Sequence, residues 1–206
     1  YLIEIDAYAS KEKCYFWSKK GIPVTIKSPD DEKITAQQKK YIEEYFNNVF
    51  NKVFSDHFIH EEWGYYPHFD IDSFLKHFII GELSGNTDTY WSVYMYKERG
   101  DQKLYTGPVW DFDIAFDNDK RTHNELNNPS GFLYSSGTAS FAGGDNMQQF
   151  VTRIVRMDPV AKARLKEMWN DLRDSGVITP ESLVQYVNDT EQYLDQSQKL
   201  NFTRWN

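Results

Sequence analysis

The chain has 206 residues, 40% of them hydrophobic and 17% aromatic, which supports a ring-rich core and excludes a disordered chain. Its net charge of -8 excludes a general nucleic-acid binder, which needs cations against phosphate, and excludes docking on anionic lipid through a basic face. One cysteine, Cys14, closes no internal disulfide and builds no zinc site unaided, and no apolar run approaches membrane-spanning length.

"YLIEIDAY" at the start alternates Leu2, Glu4 and Asp6 against Ile3, Ile5 and Ala7, the pattern of a half-buried strand. The chain opens on Tyr1 already in this pattern, so it is expected to begin inside a domain. "GIPVTIK" predicts a second strand after a turn at Gly21. "TAQQKKYIEEYFNNVFNKVF" predicts a long amphipathic helix, with Thr35 and Gln38 as a capping box. Asp72 is the expected N-cap of a short apolar helix, "SFLKHFIIGEL", which ends where Gly85 can adopt a left-handed cap. "YWSVYMYKERGDQKLYTGPVWDFDIAF" predicts two strands joined by a hairpin at "ERGDQ". From Asp117 to Asp145 the chain is polar, long for a loop and therefore functional or partly mobile. Three helices follow: "NMQQFVTRIVRM"; "PVAKARLKEMWNDLRDSG", with Pro159 near its start and Gly176 past its end; and a last one with Thr179 as N-cap and Pro180 at its first position. No repeat, low-complexity tract or linker composition divides the chain, so one domain over 1–206 is expected.

The segment "GPVWDFDIAF" carries the chemistry. Read as a strand, it places Trp110, Phe112 and Ile114 on one face and Asp111 and Asp113 on the other, pointing at a shared space. Repulsion between the two acids is relieved by a divalent cation, by an Arg or Lys, or by protonating one of them. All-oxygen ligands suit Mg²⁺, Mn²⁺ or Ca²⁺. Upstream, "GNTD" sets Asn86 and Asp88 in a turn between the apolar helix and the first hairpin strand. Pairing of the strands is expected to bring Asp88 toward Asp111 and Asp113. A loop Asp, a hairpin and a metal-binding Asp, in that order, form a pattern for phosphoryl transfer. The competing readings are a plain turn at Asp88 and a structural Arg network at Asp111 and Asp113.

Other candidates are weaker. "DFDIAFDNDK" lacks the glycine and the leading helix of an EF-hand. His57 and His60, with Glu61 and Glu62, lack the HExxH order and suit a solvated helix end. Ser135, Ser136 and Ser140 lack a GxSxG elbow, and "GFLYSSGTASFAGG" lacks the Walker lysine. Trp63, Tyr65 and Tyr66 suit either a sugar-stacking platform or closure over a core.

Together, "YLIEIDAY", "VTIKSPDDEKIT", "FDIDSFLKHFIIGELSGNTD", "YMYKERGDQKLYTGPVWDFDIAF" and "NFTRW" resemble the CotH kinase family, the spore-coat protein H relatives. The resemblance covers nearly the whole chain and corresponds to the C-terminal two thirds of the family domain. It implies an α+β fold, the mainly helical C-lobe of a distant protein-kinase-like fold, with a β-hairpin carrying the acidic site and a few N-terminal strands. It implies a bacterial enzyme that uses ATP and Mg²⁺ or Mn²⁺ to phosphorylate Ser or Thr of a protein substrate. Asp88 then takes the catalytic-loop position and Asp111 the metal-binding position, with Asp113 in support. Glu82 matches a helix-end Glu with a structural role. Ser92 stands where relatives often carry Asn and is a poorer metal ligand. The lobe that supplies the nucleotide-binding Lys is expected before Tyr1; Lys27, in the matched "IKSP", is not assigned that task. The alternative is a non-catalytic surface module of the same fold that binds a protein or a glycan. The resemblance also implies an extracytoplasmic or cell-surface location.

Overall fold

The computed structural model describes residues 1–118, 132–135 and 143–205. The chain forms two compact units, Tyr1–Arg164 and Leu165–Asn206. The first contains a five-stranded antiparallel sheet of strands β1 (Leu2–Ile5), β2 (Tyr15–Trp17), β3 (Pro23–Ser28), β4 (Val93–Tyr96) and β5 (Tyr105–Thr106). Their order across the sheet is β2-β3-β1-β4-β5. One face is apolar, with Ile3, Ile5, Val24, Ile26, Val93 and Met95 all buried. β2 has no counterpart in the sequence reading, because three residues are too few to show a period. Gly21, at φ +70°, closes the β2–β3 turn where a turn was expected.

Strand alternation assigned Glu4 to the polar face, yet Glu4 is 6% exposed. Lys27 Nζ of the neighbouring β3 lies 2.9 Å from its carboxylate, and the pairing compensates for the burial of the charge.

Helix α1 spans Ala36–Val53 and begins at Thr35 with the expected capping box: Thr35 accepts from the Gln38 amide, and the Gln38 side chain accepts from the Thr35 amide. Its stripe buries Ile42, Phe46, Val49, Phe50 and Val53. Phe46 stacks on Phe50 at 4.4 Å, and Phe50 on Phe150 at 4.2 Å. Phe150 belongs to α3 (Gly144–Thr152), which widens into a π-helical turn over Arg153–Met157. Phe69 and Phe74 meet Phe150 edge-on at 5.6 and 6.0 Å, so one ring cluster joins α1, α3 and α2 (Ile71–Ser84).

The N-cap of α2 is Asp70, whose Oδ1 accepts from the Ser73 amide at 2.8 Å. The expected cap, Asp72, lies inside the first turn and instead forms a two-bond pair with Arg164, at 3.0 and 2.8 Å. At the other end Gly85 has φ +66°, as the sequence predicts.

The boundary between the units falls within α4 (Pro159–Asp174). In the second unit Gly176, at φ +78°, follows the end of α4, and α5 (Pro180–Arg204) starts at Thr179 with Pro180 at its first position. α5 buries none of its residues within the described structure. No helix among the described residues is long and apolar enough to cross a membrane. Cys14 is a buried free thiol.

Candidate functional site

The site is built at the C-terminal end of α2. That helix can lie close to the following turn because residue 81 is a glycine: a Cβ there would stand 2.2 Å from Thr89 Cγ2. His77, one turn earlier on the helix, fixes the same turn through Nε2, which lies 2.7 Å from the Thr89 carbonyl. Burial holds the His77 imidazole below its usual pKa, so the ring is neutral and Nε2–H is the donor. The Thr89 hydroxyl donates to the Asn86 carbonyl at 2.6 Å. Asp88 is half-buried in this turn; its amide donates to Asn86 Oδ1 at 3.0 Å, and its carbonyl accepts from the Trp91 amide at 2.9 Å.

The acidic segment is placed differently from the sequence reading. The β4–β5 hairpin exists, with the connection Lys97–Leu104 between its strands, but its ladder holds only two residue pairs. β5 ends at Thr106. Gly107 has φ +130° and Pro108 has no N–H to donate, so the ladder stops there. Residues 107–118 form an irregular loop with turns at 113–114 and 116–117, and Asp111, Phe116 and Asp117 have φ +46°, +55° and +62°. The expected strand with buried rings is therefore corrected. Trp110 is 50% exposed and meets Tyr94 edge-on at 5.4 Å, while Ala115 enters the core.

The two acids remain neighbours in this loop. Asp111 and Asp113 are both exposed. The Asp113 side chain, through hydrogen bonding and then through its charge, holds the Asp111 carboxyl above its usual pKa. Asn86 ties the two acidic segments together. Its Nδ2 donates to the Asp111 carbonyl at 3.3 Å while its Oδ1 takes the Asp88 amide. A second tie joins the Phe116 amide to the Ser84 carbonyl at 2.6 Å. Asn86 is 2% exposed, a buried amide spent on joining two loops.

Two neighbouring exposed carboxylates fit a hard divalent cation, which takes one or two carboxylates and completes its shell with water and phosphate oxygens. No cluster of three or more His, Cys, Asp and Glu among the described residues is placed to hold a metal by protein ligands alone.

Ser92, considered above as a weak second ligand, sits at φ +56° and donates to Glu4 Oε1 at 3.2 Å. Its hydroxyl therefore belongs to the Glu4–Lys27 ion pair. Tyr65 and Tyr66 form no stacking platform: Tyr65 is fully buried, and both hydroxyls donate to Asp158, at 2.5 and 2.9 Å. Asp158 caps α4 through the Val160 and Ala161 amides. Trp63 is exposed and stacks on His60 at 4.3 Å, and His60 Nδ1 accepts from the Glu62 and Trp63 amides. His57 and His60 thus lie in turns after α1 and not on a helix end. Ser136, Ser140 and most of the polar stretch from Asp117 to Asp145 lie outside the described residues, as does the side chain of Ser135.

The family model described as CotH kinase protein matches residues 1–206. The chain belongs to the CotH kinase family. No curated protein and no solved structure matches it.

Proposed function

We propose that the chain carries the phosphoryl-transfer site of a CotH-family protein kinase with a distant protein-kinase-like fold, and that ATP and Ser or Thr of a protein are its substrates. The observation that carries this reading is the Asn86 bridge, which ties the Asp88 turn to the Asp111 loop. Asp88 orients the acceptor hydroxyl and takes its proton as the oxygen attacks the terminal phosphorus, while the bond from that phosphorus to the β,γ-bridging oxygen breaks and ADP leaves. Asp111, with Asp113 beside it, supplies the oxygens for Mg²⁺ or Mn²⁺. Bound there, the cation neutralises charge on the nucleotide phosphates. Asn86, Gly81 and His77 perform no chemistry; they fix the distance between the two acidic segments. Holding reacting groups in place is most of what this reaction asks of a protein.

The test is phosphate transfer from ATP to a Ser/Thr protein by the full-length protein and by Asp88→Ala and Asp111→Ala. The reading predicts loss of transfer in both variants. Equal transfer by all three would remove both residues from the mechanism.

One observation favours a second reading, a non-catalytic surface module that binds a protein or glycan. Ser92 is committed to Glu4, which leaves the second ligand position of the family without a donor from that residue. Calorimetry with Mg²⁺-ATP separates the two. Saturable, metal-dependent binding favours the kinase, and its absence favours the module.

A further inference from the structure

Glu82 lies in the last turn of α2, and its side chain is half-buried. Its carboxylate collects three donors from two separate parts of the chain. Oε1 accepts from the Tyr90 hydroxyl at 2.6 Å and from the Tyr134 amide at 3.1 Å. Oε2 accepts from the Leu133 amide at 2.7 Å. Tyr90 stands two residues past Asp88. Leu133 and Tyr134 lie in a short 3₁₀ turn that follows the acidic loop in the chain.

The arrangement is a built contact. Leu133 and Tyr134 are each 5% exposed and Tyr90 is 2% exposed. Phe78, one turn before Glu82, packs against Phe132 at 6.3 Å and Tyr134 at 5.8 Å. Burial pushes the Glu82 carboxyl above its usual pKa, and the three donated bonds act in the opposite direction. Keeping a carboxylate here therefore costs solvation. A helix end needs no buried acid at this position, since Gly85 already caps it. What the carboxylate adds is a junction between two segments.

We propose that Glu82 is a positioning residue that couples docking of the Phe132–Ser135 segment to the turn that holds Asp88. Docking of Leu133 and Tyr134 fixes the carboxylate, the carboxylate fixes the Tyr90 hydroxyl, and Tyr90 fixes the end of the Asp88 turn. The coupling is a statement about this chain's conformation. Its consequence for turnover rests on the phosphoryl-transfer reading above.

The test uses residue-resolved amide hydrogen exchange on the full-length protein, with Glu82→Gln and Tyr90→Phe. Glu82→Gln keeps the shape but loses an acceptor oxygen and the charge. The expected result is about tenfold faster exchange at Leu133, Tyr134, Asp88 and Trp91, the scale of one lost hydrogen bond to a charged group. Amides of α1 serve as the control and keep their protection. Tyr90→Phe cuts only the link to the turn, so exchange rises at Asp88 and Trp91 while Leu133 and Tyr134 stay protected. Unchanged protection of Leu133 and Tyr134 in Glu82→Gln overturns the docking. Unchanged protection of Asp88 and Trp91 in Tyr90→Phe overturns the coupling, and this variant decides alone if Glu82→Gln does not fold. In phosphate-transfer assays both variants lower kcat with KM for ATP unchanged; normal kcat despite altered exchange removes Glu82 from turnover. A wild-type protein that transfers no phosphate fails the kinase reading, and the exchange experiment still decides the coupling.

Discussion

The two halves of the candidate site are held in opposite ways. The turn after α2 is over-determined: Gly81 brings the helix close to Thr89, His77 holds the Thr89 carbonyl, and Asn86 and Thr89 bond within the turn. The loop over 107–118 is exposed, with three non-glycine residues at positive φ, and is tied to the turn through the Asp111 carbonyl and the Phe116 amide. Packing fixes Asp88 on the scaffold side. Asp111 and Asp113 are left accessible and mutually repelling, an arrangement that suits acids whose ligand arrives from solvent. Substitutions of the residues that pack the turn should therefore act first on stability, and substitutions of the loop acids on function.

The loop gives the largest expected effect. Asp111→Asn should lower phosphate transfer by roughly 10²–10³, the cost of removing one group that stabilises developing charge. Thermal stability should stay within about 0.5 kcal/mol, because the side chain is exposed and its strongest neighbour is another acid. Paired transfer assays and melting curves check this. A large drop in melting temperature would mean that the loop is structural and the comparison is wrong.

The same comparison is reversed at Gly81. Gly81→Ala should cost about 2 kcal/mol through overpacking against a side chain that cannot retreat, since Thr89 is 2% exposed and bonded to Asn86. For a chain of this length that is a fall of about 4–8 °C in melting temperature. Removing Thr89 Cγ2 and Oγ1 in the double variant Gly81→Ala/Thr89→Ala should recover part of the loss. Additive losses would place the clash elsewhere.

Asn86 joins the two regions, and its effect should divide between them. Asn86→Ala leaves the Asp88 amide and the Asp111 carbonyl without this partner, at a cost of about 1–2 kcal/mol. It should also lower transfer although both acids remain. A variant with normal transfer and reduced stability would show that the bridge does not set the distance between the acids.

Much of this contrast follows from how each region is encoded. Capping is local, so Thr35 with Gln38, Thr179 with Pro180, and Gly85 were all legible in the sequence and appear where expected. Membership of the CotH kinase family was legible from "GNTD" and "GPVWDFD", and the match over 1–206 bears it out. The loop was misread because alternation presumes an extended backbone, and nothing in "VWDFDIAF" announces that a non-glycine residue takes φ +46°. Glu4 was misread for a different reason: its partner, Lys27, comes from another element. The isolated glycine inside the apolar "FIIGEL" was an available signal for close packing at the site.

The start of α2 offers the smallest effect and a control for its end. "FDIDSF" presents two acids two residues apart at the helix start, and local sequence cannot rank them. The choice is made by Arg164, which takes Asp72 and leaves Asp70 to the Ser73 amide. The Arg164 hydrogen bond holds the Asp72 carboxyl below its usual pKa, with Lys76 and Lys103 adding to the same direction. A depressed folded-state pKa stabilises the protein above the unfolded carboxylate value, about 3.9, and that contribution is lost as pH falls through the lower folded value. Both side chains keep about two fifths of their exposure, so solvent screens the pair and its worth is about 0.5 kcal/mol. Asp72→Asn should therefore lower stability by that amount at pH 7, and the difference from wild type should vanish once pH has fallen below the depressed folded value. It should also shrink in high salt. Transfer activity should be unaffected, because the ion pair sits at the end of α2 opposite to Asp88. A difference that persists at low pH would mean that Asp72 acts through packing and not through its charge.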